Sequence, residues 1–245
     1  MAPIAGRLGP LVFYSFTAVL ATGILLGFGL AAIINKRRPI PGWPDALLAG
    51  LALALLAGRA GFVWFRWDYY GTRPFQIIQF WQGGLSYHGV LTGGLAGVWW
   101  WGRRQGWSLT DTAALTAPLL PLLSGMGWLA CWLAGCAYGR PAPLGWLTAD
   151  LPDEFGLYAV RTQTQLLGMA AALLIFFWLW RRRKQWPPLR QFVFALGGLS
   201  LAHGGIGFLR GDTAVHLQFL RLDTFLDFLV VCLALVLLKY GRRSD

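Results

Sequence analysis

The sequence predicts an all-α, polytopic membrane protein of seven transmembrane helices, and three observations predict it. Of its 245 residues, 56% are hydrophobic and only 13% are charged, a balance rare in a water-soluble domain of this size. Apolar runs of about 20 residues, the length a helix needs to cross a hydrocarbon core of about 30 Å, recur along the whole chain. The cations gather in short clusters between those runs rather than on one polar face.

The first run extends from Leu11 to Asn35. It is long enough to span, and no small-residue cleavage site follows it, so the first helix is expected to direct insertion and to stay. Further runs extend from Asp45 to Phe65, Gly84 to Trp101, Thr112 to Tyr138, Gln163 to Trp180, Gln191 to Leu209 and Thr224 to Tyr240. The third, fourth and sixth are rich in glycine, which lets helices approach closely or lets a locally broken helix line a cavity. No linker, low-complexity stretch or internal repeat divides the chain, so residues 1–245 are expected to form a single integral membrane domain.

Charge sets the orientation. Lys36, Arg37, Arg38, Arg103, Arg104, Arg181, Arg182, Arg183, Lys184, Arg190, Lys239, Arg242 and Arg243 fall on alternate connections, thirteen cations on one side. The other side carries Arg7, Arg66, Arg73, Arg140, Arg161, Arg210 and Arg221, with an acidic loop of Asp150, Asp153 and Glu154. The positive-inside rule then places the amino terminus outside and the carboxyl terminus in the cytoplasm, which requires an odd number of spans. Trp43, Trp64, Trp67, Trp99, Trp100, Trp101, Trp180 and Trp186 lie near expected helix ends, where an indole keeps its ring apolar and its N–H wet. The net charge of +11, distributed in this way, points to lipid head groups and not to nucleic acid.

Cys131, Cys136 and Cys232 all lie within apolar stretches, so no secreted disulfide framework is expected. On an ideal helix the first two stand roughly 140° apart, a poor geometry for shared metal ligation. They read as small packing residues, and no metal site is expected.

Ionisable groups at membrane depth are costly and are functional candidates unless an interface or a paired network accounts for them. Arg59, in Gly58-Arg59-Ala60-Gly61-Phe62, lies deep near the outer end of the second run, with outward snorkelling as the alternative. His88, in Gly83-Gly84-Leu85-Ser86-Tyr87-His88-Gly89, stands at a glycine-rich helix start, where backbone N–H groups suit an anionic head group. Arg161, Thr164 and Gln165 lie at the start of the fifth run, and Arg210, Gly211 and Asp212 at the end of the sixth. Several guanidinium groups converging from separate helices suit a phosphate. The alternative is an interfacial salt-bridge network, for example Arg210 with Asp212 or Asp223. His203 is the one candidate for a buried axial ligand to haem or chlorophyll, but no second histidine falls at matching depth and structural hydrogen bonding is the plainer role. No cofactor is expected.

Taken in order, four segments resemble the prolipoprotein diacylglyceryl transferase family. Gly58-Arg59-Ala60-Gly61-Phe62, with Tyr69 and Tyr70, is similar to its second-helix stretch. Gly83-Gly84-Leu85-Ser86-Tyr87-His88-Gly89 resembles its signature histidine segment. Arg161-Thr162-Gln163-Thr164-Gln165-Leu166 resembles its RxPTQL segment with Gln163 in place of Pro, and Phe208-Leu209-Arg210-Gly211-Asp212 its late Arg motif.

The resemblance implies a seven-helix protein of the bacterial cytoplasmic membrane that moves the diacylglyceryl group of phosphatidylglycerol to the lipobox cysteine of a preprolipoprotein. It implies that His88 and Tyr14 activate or position the thiol and that Arg210 binds the phosphate. Arg59, Arg161, Gln165 and Gly139 would shape the head-group site. The family's GRxGN motif aligns with Gly127-Trp128-Leu129-Ala130-Cys131, so Trp128 stands where the family has Arg and Cys131 where it has Asn. Arg140, farther along the chain, is the available substitute cation. The alternative to an active transferase is a catalytically silent relative serving as a structural, lipid- or pigment-contacting subunit with other membrane proteins. A lipid-binding or transport role without chemistry is a third reading.

Overall fold

A computed structural model describes residues 4–8, 11–79, 84–153 and 155–241. Gly83, Glu154, Arg242 and Arg243 lie outside the described residues. Each of the seven apolar runs overlaps a long helix: α1 Ser15–Arg37, α2 Trp43–Phe65, α4 Tyr87–Arg104, α5 Leu109–Ala134, α6 Thr164–Arg182, α7 Pro188–Gly207 and α8 Leu222–Gly241. A short α3, Trp67–Tyr70, and a 3₁₀ turn, Pro74–Ile78, connect α2 to α4. Among the described residues, α1, α2, α5 and α6 are long and apolar enough to cross a membrane by length and composition.

The described residues are mostly helical, as expected, and their connections add three antiparallel hairpins: β1 Ile4–Leu8 with β2 Leu11–Tyr14, β3 Thr148–Pro152 with β4 Tyr158–Thr162, and β5 His216–Leu217 with β6 Leu220–Arg221. The physical reason is that connections outside a helix still carry backbone donors and acceptors, and pairing satisfies them. The first run therefore begins as strand at Leu11 and becomes helix only at Ser15. Helix ends shift for local reasons too. The third run turns helical at Tyr87, because Gly84 takes the left-handed φ of 82° and the Ser86 hydroxyl caps the helix by accepting the Gly89 N–H at 3.4 Å. The fourth stops at Ala134, short of the expected Tyr138, where Gly135 turns left-handed at φ 80°.

The chain divides into two compact units, one built from Met1–Gly29 with Ala117–Asp245 and the other from Leu30–Thr116. In the second unit α2 and α4 touch backbone to backbone. Gly89, Gly93 and Gly97 repeat every fourth residue, and a Cβ on Gly93 would stand 2.3 Å from the Leu53 carbonyl oxygen. Glycine therefore sets how closely these helices pack. In the first unit α7 lies against α8, with Ala195, Leu199, Ser200 and His203 buried on one helix and Thr224, Asp227 and Ala234 on the other.

Candidate functional site

The left-handed turn at Gly135 folds the chain back on the end of α5, and the N–H groups of Gly135 and Cys136 both donate to the Cys131 carbonyl at 2.8 and 3.0 Å. Cys136 thereby meets Cys131 in a disulfide, with Cα atoms 4.7 Å apart. The reading of these cysteines as packing residues is corrected: the 140° of an ideal helix does not apply, because Cys136 lies beyond the helix. Cys232 is free and exposed.

The segment from Cys136 to Pro141 then serves as a template for two other loops. Its carbonyls accept from Gln165 Nε2 (Cys136, 2.9 Å) and Thr164 Oγ1 (Ala137, 2.6 Å), and both side chains are fully buried. The Tyr138 carbonyl accepts from the Gly211 N–H at 2.8 Å, and the Arg140 N–H donates to Leu209 at the same distance. Gly139 pairs with Arg210, and Pro141 with Arg161. Only glycine fits at 139, since a Cβ there would lie 2.2 Å from the Thr162 carbonyl oxygen. Gly139, Arg140, Arg161 and Arg210 are thus brought together in the first unit by backbone pairing, and Gln165 joins them through its side-chain amide, so five of the expected site residues meet there.

Their guanidinium groups have different partners. Arg161 is buried over the Tyr138 ring, donates from Nε to the Leu151 carbonyl at 3.2 Å and pairs through Nη2 with Asp153 at 3.1 Å. Donation from the Leu157 and Phe155 amides, with the Arg161 charge behind them, holds the Asp153 carboxyl below its ordinary pKa. Arg140 is exposed and donates from Nε to the Arg210 carbonyl at 3.0 Å. Arg210 grips Asp212 bidentately, at 2.8 and 2.5 Å, and reaches Asp223 through Nη1 at 3.3 Å. The salt-bridge alternative read from the sequence is therefore present in full.

Arg221, a residue the sequence reading counted only as a loop cation, completes this network. It is 5% exposed and donates to both oxygens of Asp223, at 3.1 and 3.0 Å, and to the Asp212 carbonyl at 3.0 Å. Burial works against its charge, but Asp223 and Asp212 outweigh it and hold the guanidinium above its ordinary pKa.

His203 on α7 points Nδ1 at Asp227 of α8, 2.6 Å away, and Nε2 at Arg210 Nη1, 3.5 Å away. Its ring packs against Trp128 at 5.6 Å between centroids. Trp128 in turn fills the space left by Gly168, where a Cβ would stand 2.2 Å from the indole. Asp227 also escaped the sequence reading, although a lone carboxyl inside the apolar run of α8 is a signal of the kind that found Arg59. Tyr14 closes β2 and is half exposed.

In the second unit Arg59 is buried and donates to three backbone carbonyls, Gln76 at 2.6 Å, Ile77 at 2.8 Å and Gly84 at 3.1 Å, with its guanidinium 5.1 Å from the Tyr70 ring centre. With the Ser86 N–H donating to Gly58 at 2.9 Å, this clamps the loop that leads into α4. His88 is the second residue of that helix, half-buried, with the Tyr87 ring edge-on at 5.1 Å.

The sequence profile of the prolipoprotein diacylglyceryl transferase family matches residues 3–240. A phosphatidylglycerol-prolipoprotein diacylglyceryl transferase of Rhodospirillum centenum is 33% identical over 216 residues, 86% of this chain and 78% of the relative. Its namesake in Bacillus licheniformis is 33% identical over 255 residues, covering 98% of this chain and 92% of the relative. The one in Cupriavidus pinatubonensis is 28% identical over 266 residues, covering 99% and 92%. With its sequence matched almost from end to end, the chain belongs to the prolipoprotein diacylglyceryl transferase family.

Proposed function

We propose that the protein transfers the diacylglyceryl group of phosphatidylglycerol to the lipobox cysteine of a preprolipoprotein. It does so as one integral domain of the bacterial cytoplasmic membrane, crossing it seven times with the amino terminus outside. The cysteine thiolate attacks the glycerol carbon that bears the phosphate ester, a carbon–sulfur bond forms, the carbon–oxygen bond breaks and glycerol phosphate leaves with the electron pair. His88 and Tyr14 activate or position the thiol, and Arg210 binds the phosphate. Arg59, Arg161, Gln165, Gly139 and Arg140 shape the head-group site. The observation that supports this reading best is the template segment from Cys136 to Pro141, which gathers Arg140, Arg161 and Arg210 in a chain whose named relatives act on this lipid.

Trp128 stands at the position of the family's Arg, and an indole cannot clamp a phosphate. Loss of such a partner costs several kcal/mol, at about 1.4 kcal/mol per decade of rate. Slow transfer is therefore expected. Purified protein with phosphatidylglycerol vesicles and a lipobox peptide should yield a peptide heavier by one diacylglyceryl group in the mass spectrum. Trp128→Arg should raise the rate about tenfold or more. No modified peptide from either protein at high enzyme concentration would overturn the reaction and favour a silent structural subunit.

A further inference from the structure

Arg210 has a phosphate to bind in the proposed reaction, yet its fork already holds two carboxylates, Asp212 and Asp223. Arg221 contacts the same two, at 3.4 and 3.0 Å. Two guanidinium and two carboxylate groups cancel in charge, so a lipid phosphate gains full attraction only when a carboxylate lets go of Arg210. Arg221 is placed to keep both. While that exchange takes place, Arg210 needs a partner that anchors it without competing through charge.

His203 has the geometry for this. A carboxylate only accepts hydrogen bonds and a guanidinium only donates them. The ring set between Asp227 and Arg210 therefore carries its proton on Nδ1, 2.6 Å from Asp227, and turns the Nε2 lone pair to Arg210 Nη1, 3.5 Å away. That form is neutral. Asp227 is fully buried and the Trp128 ring packs against the imidazole at a 47° tilt, so the ring is contacted from two sides.

We propose that His203, fixed by Asp227, is a positioning residue that holds Arg210 in place while a lipid phosphate replaces its carboxylate partners. The function of the pair rests on the proposed role of Arg210, whereas its tautomer does not, and the test reads the two separately. The chain has three histidines, so protein labelled with ¹⁵N-histidine in lipid nanodiscs gives few signals, and those lost in His203→Gln belong to His203. At neutral pH the proposal expects a protonated Nδ1 and an unprotonated Nε2, with the preference disturbed in Asp227→Asn. A protonated Nε2 in the unaltered protein overturns it.

In the transfer assay His203→Ala should raise KM for phosphatidylglycerol about tenfold with kcat little changed. His203→Gln offers an amide oxygen in place of Nε2 and should stay within about threefold. Equal losses in the Gln and Ala variants also overturn the proposal. If the unaltered protein transfers nothing, the proposed reaction fails, and the histidine signals still decide whether His203 is set toward Arg210.

Discussion

Two arginine-centred regions stabilise buried guanidinium groups in opposite ways. Arg59 in the second unit donates to the carbonyl oxygens of Gln76, Ile77 and Gly84, which carry only partial charge, so these bonds act on backbone dipoles. Arg210 and Arg221 in the first unit face Asp212 and Asp223, full charges that cancel theirs. A clamp on carbonyls ties a cation to the backbone of a loop, whereas a carboxylate network holds it until something displaces an anion. The difference also predicts how each region fails. Removing a cation from among carboxylates strands buried charge, and removing one from among carbonyls strands only dipoles.

The sharpest test of this contrast is Arg221→Met, which leaves Asp212 and Asp223 sharing one cation and should cost about 3–5 kcal/mol. Denaturation in mixed micelles would measure it, and a loss near zero would mean that Arg210 alone satisfies both acids. Adding Asp223→Asn to Arg221→Met should recover about 1–2 kcal/mol, because the stranded charge is gone, and additive losses in the double variant would contradict the charge argument. Arg59→Met should cost less, about 1–3 kcal/mol, and should speed proteolysis at the turn Pro74–Ile78, where two of the carbonyls it holds are found. The smallest effect belongs to Arg140→Ala. That exposed side chain makes one bond to the Arg210 carbonyl, and its loss should stay below about 1 kcal/mol.

The long helices were legible because lipid leaves an apolar segment little choice but to satisfy its own backbone, and a run such as Asp45 to Phe65 carries that instruction in its composition. The hairpins were not, because the pairing of Ala149 with Arg161 is made between residues whose polarity does not announce it. Arg210 with Asp212 and Asp223 could be read as a network, since the acids lie close along the chain. Arg221 could not, because a cation at a helix entrance looks the same in sequence whether it is solvated or buried. The Cys131–Cys136 bond was hidden by a helix end placed four residues too late, at Tyr138 instead of Ala134. The glycines of the His88 segment carried a second meaning as well. Gly89 sits where α4 meets α2, so its absent side chain serves helix contact, and a Cβ there would stand 2.5 Å from the Ala57 carbonyl oxygen.

The bond between Cys131 and Cys136 also ties the protein to the history of its own synthesis. The ribosome delivers two thiols, and joining them releases two electrons and two protons that an oxidant has to accept. In the proposed orientation that end of α5 emerges on the outer face, where bacteria keep such oxidants. Cells deprived of them would still insert every helix, yet would accumulate a protein in which the loop presenting Arg140 to its neighbours was never tied down.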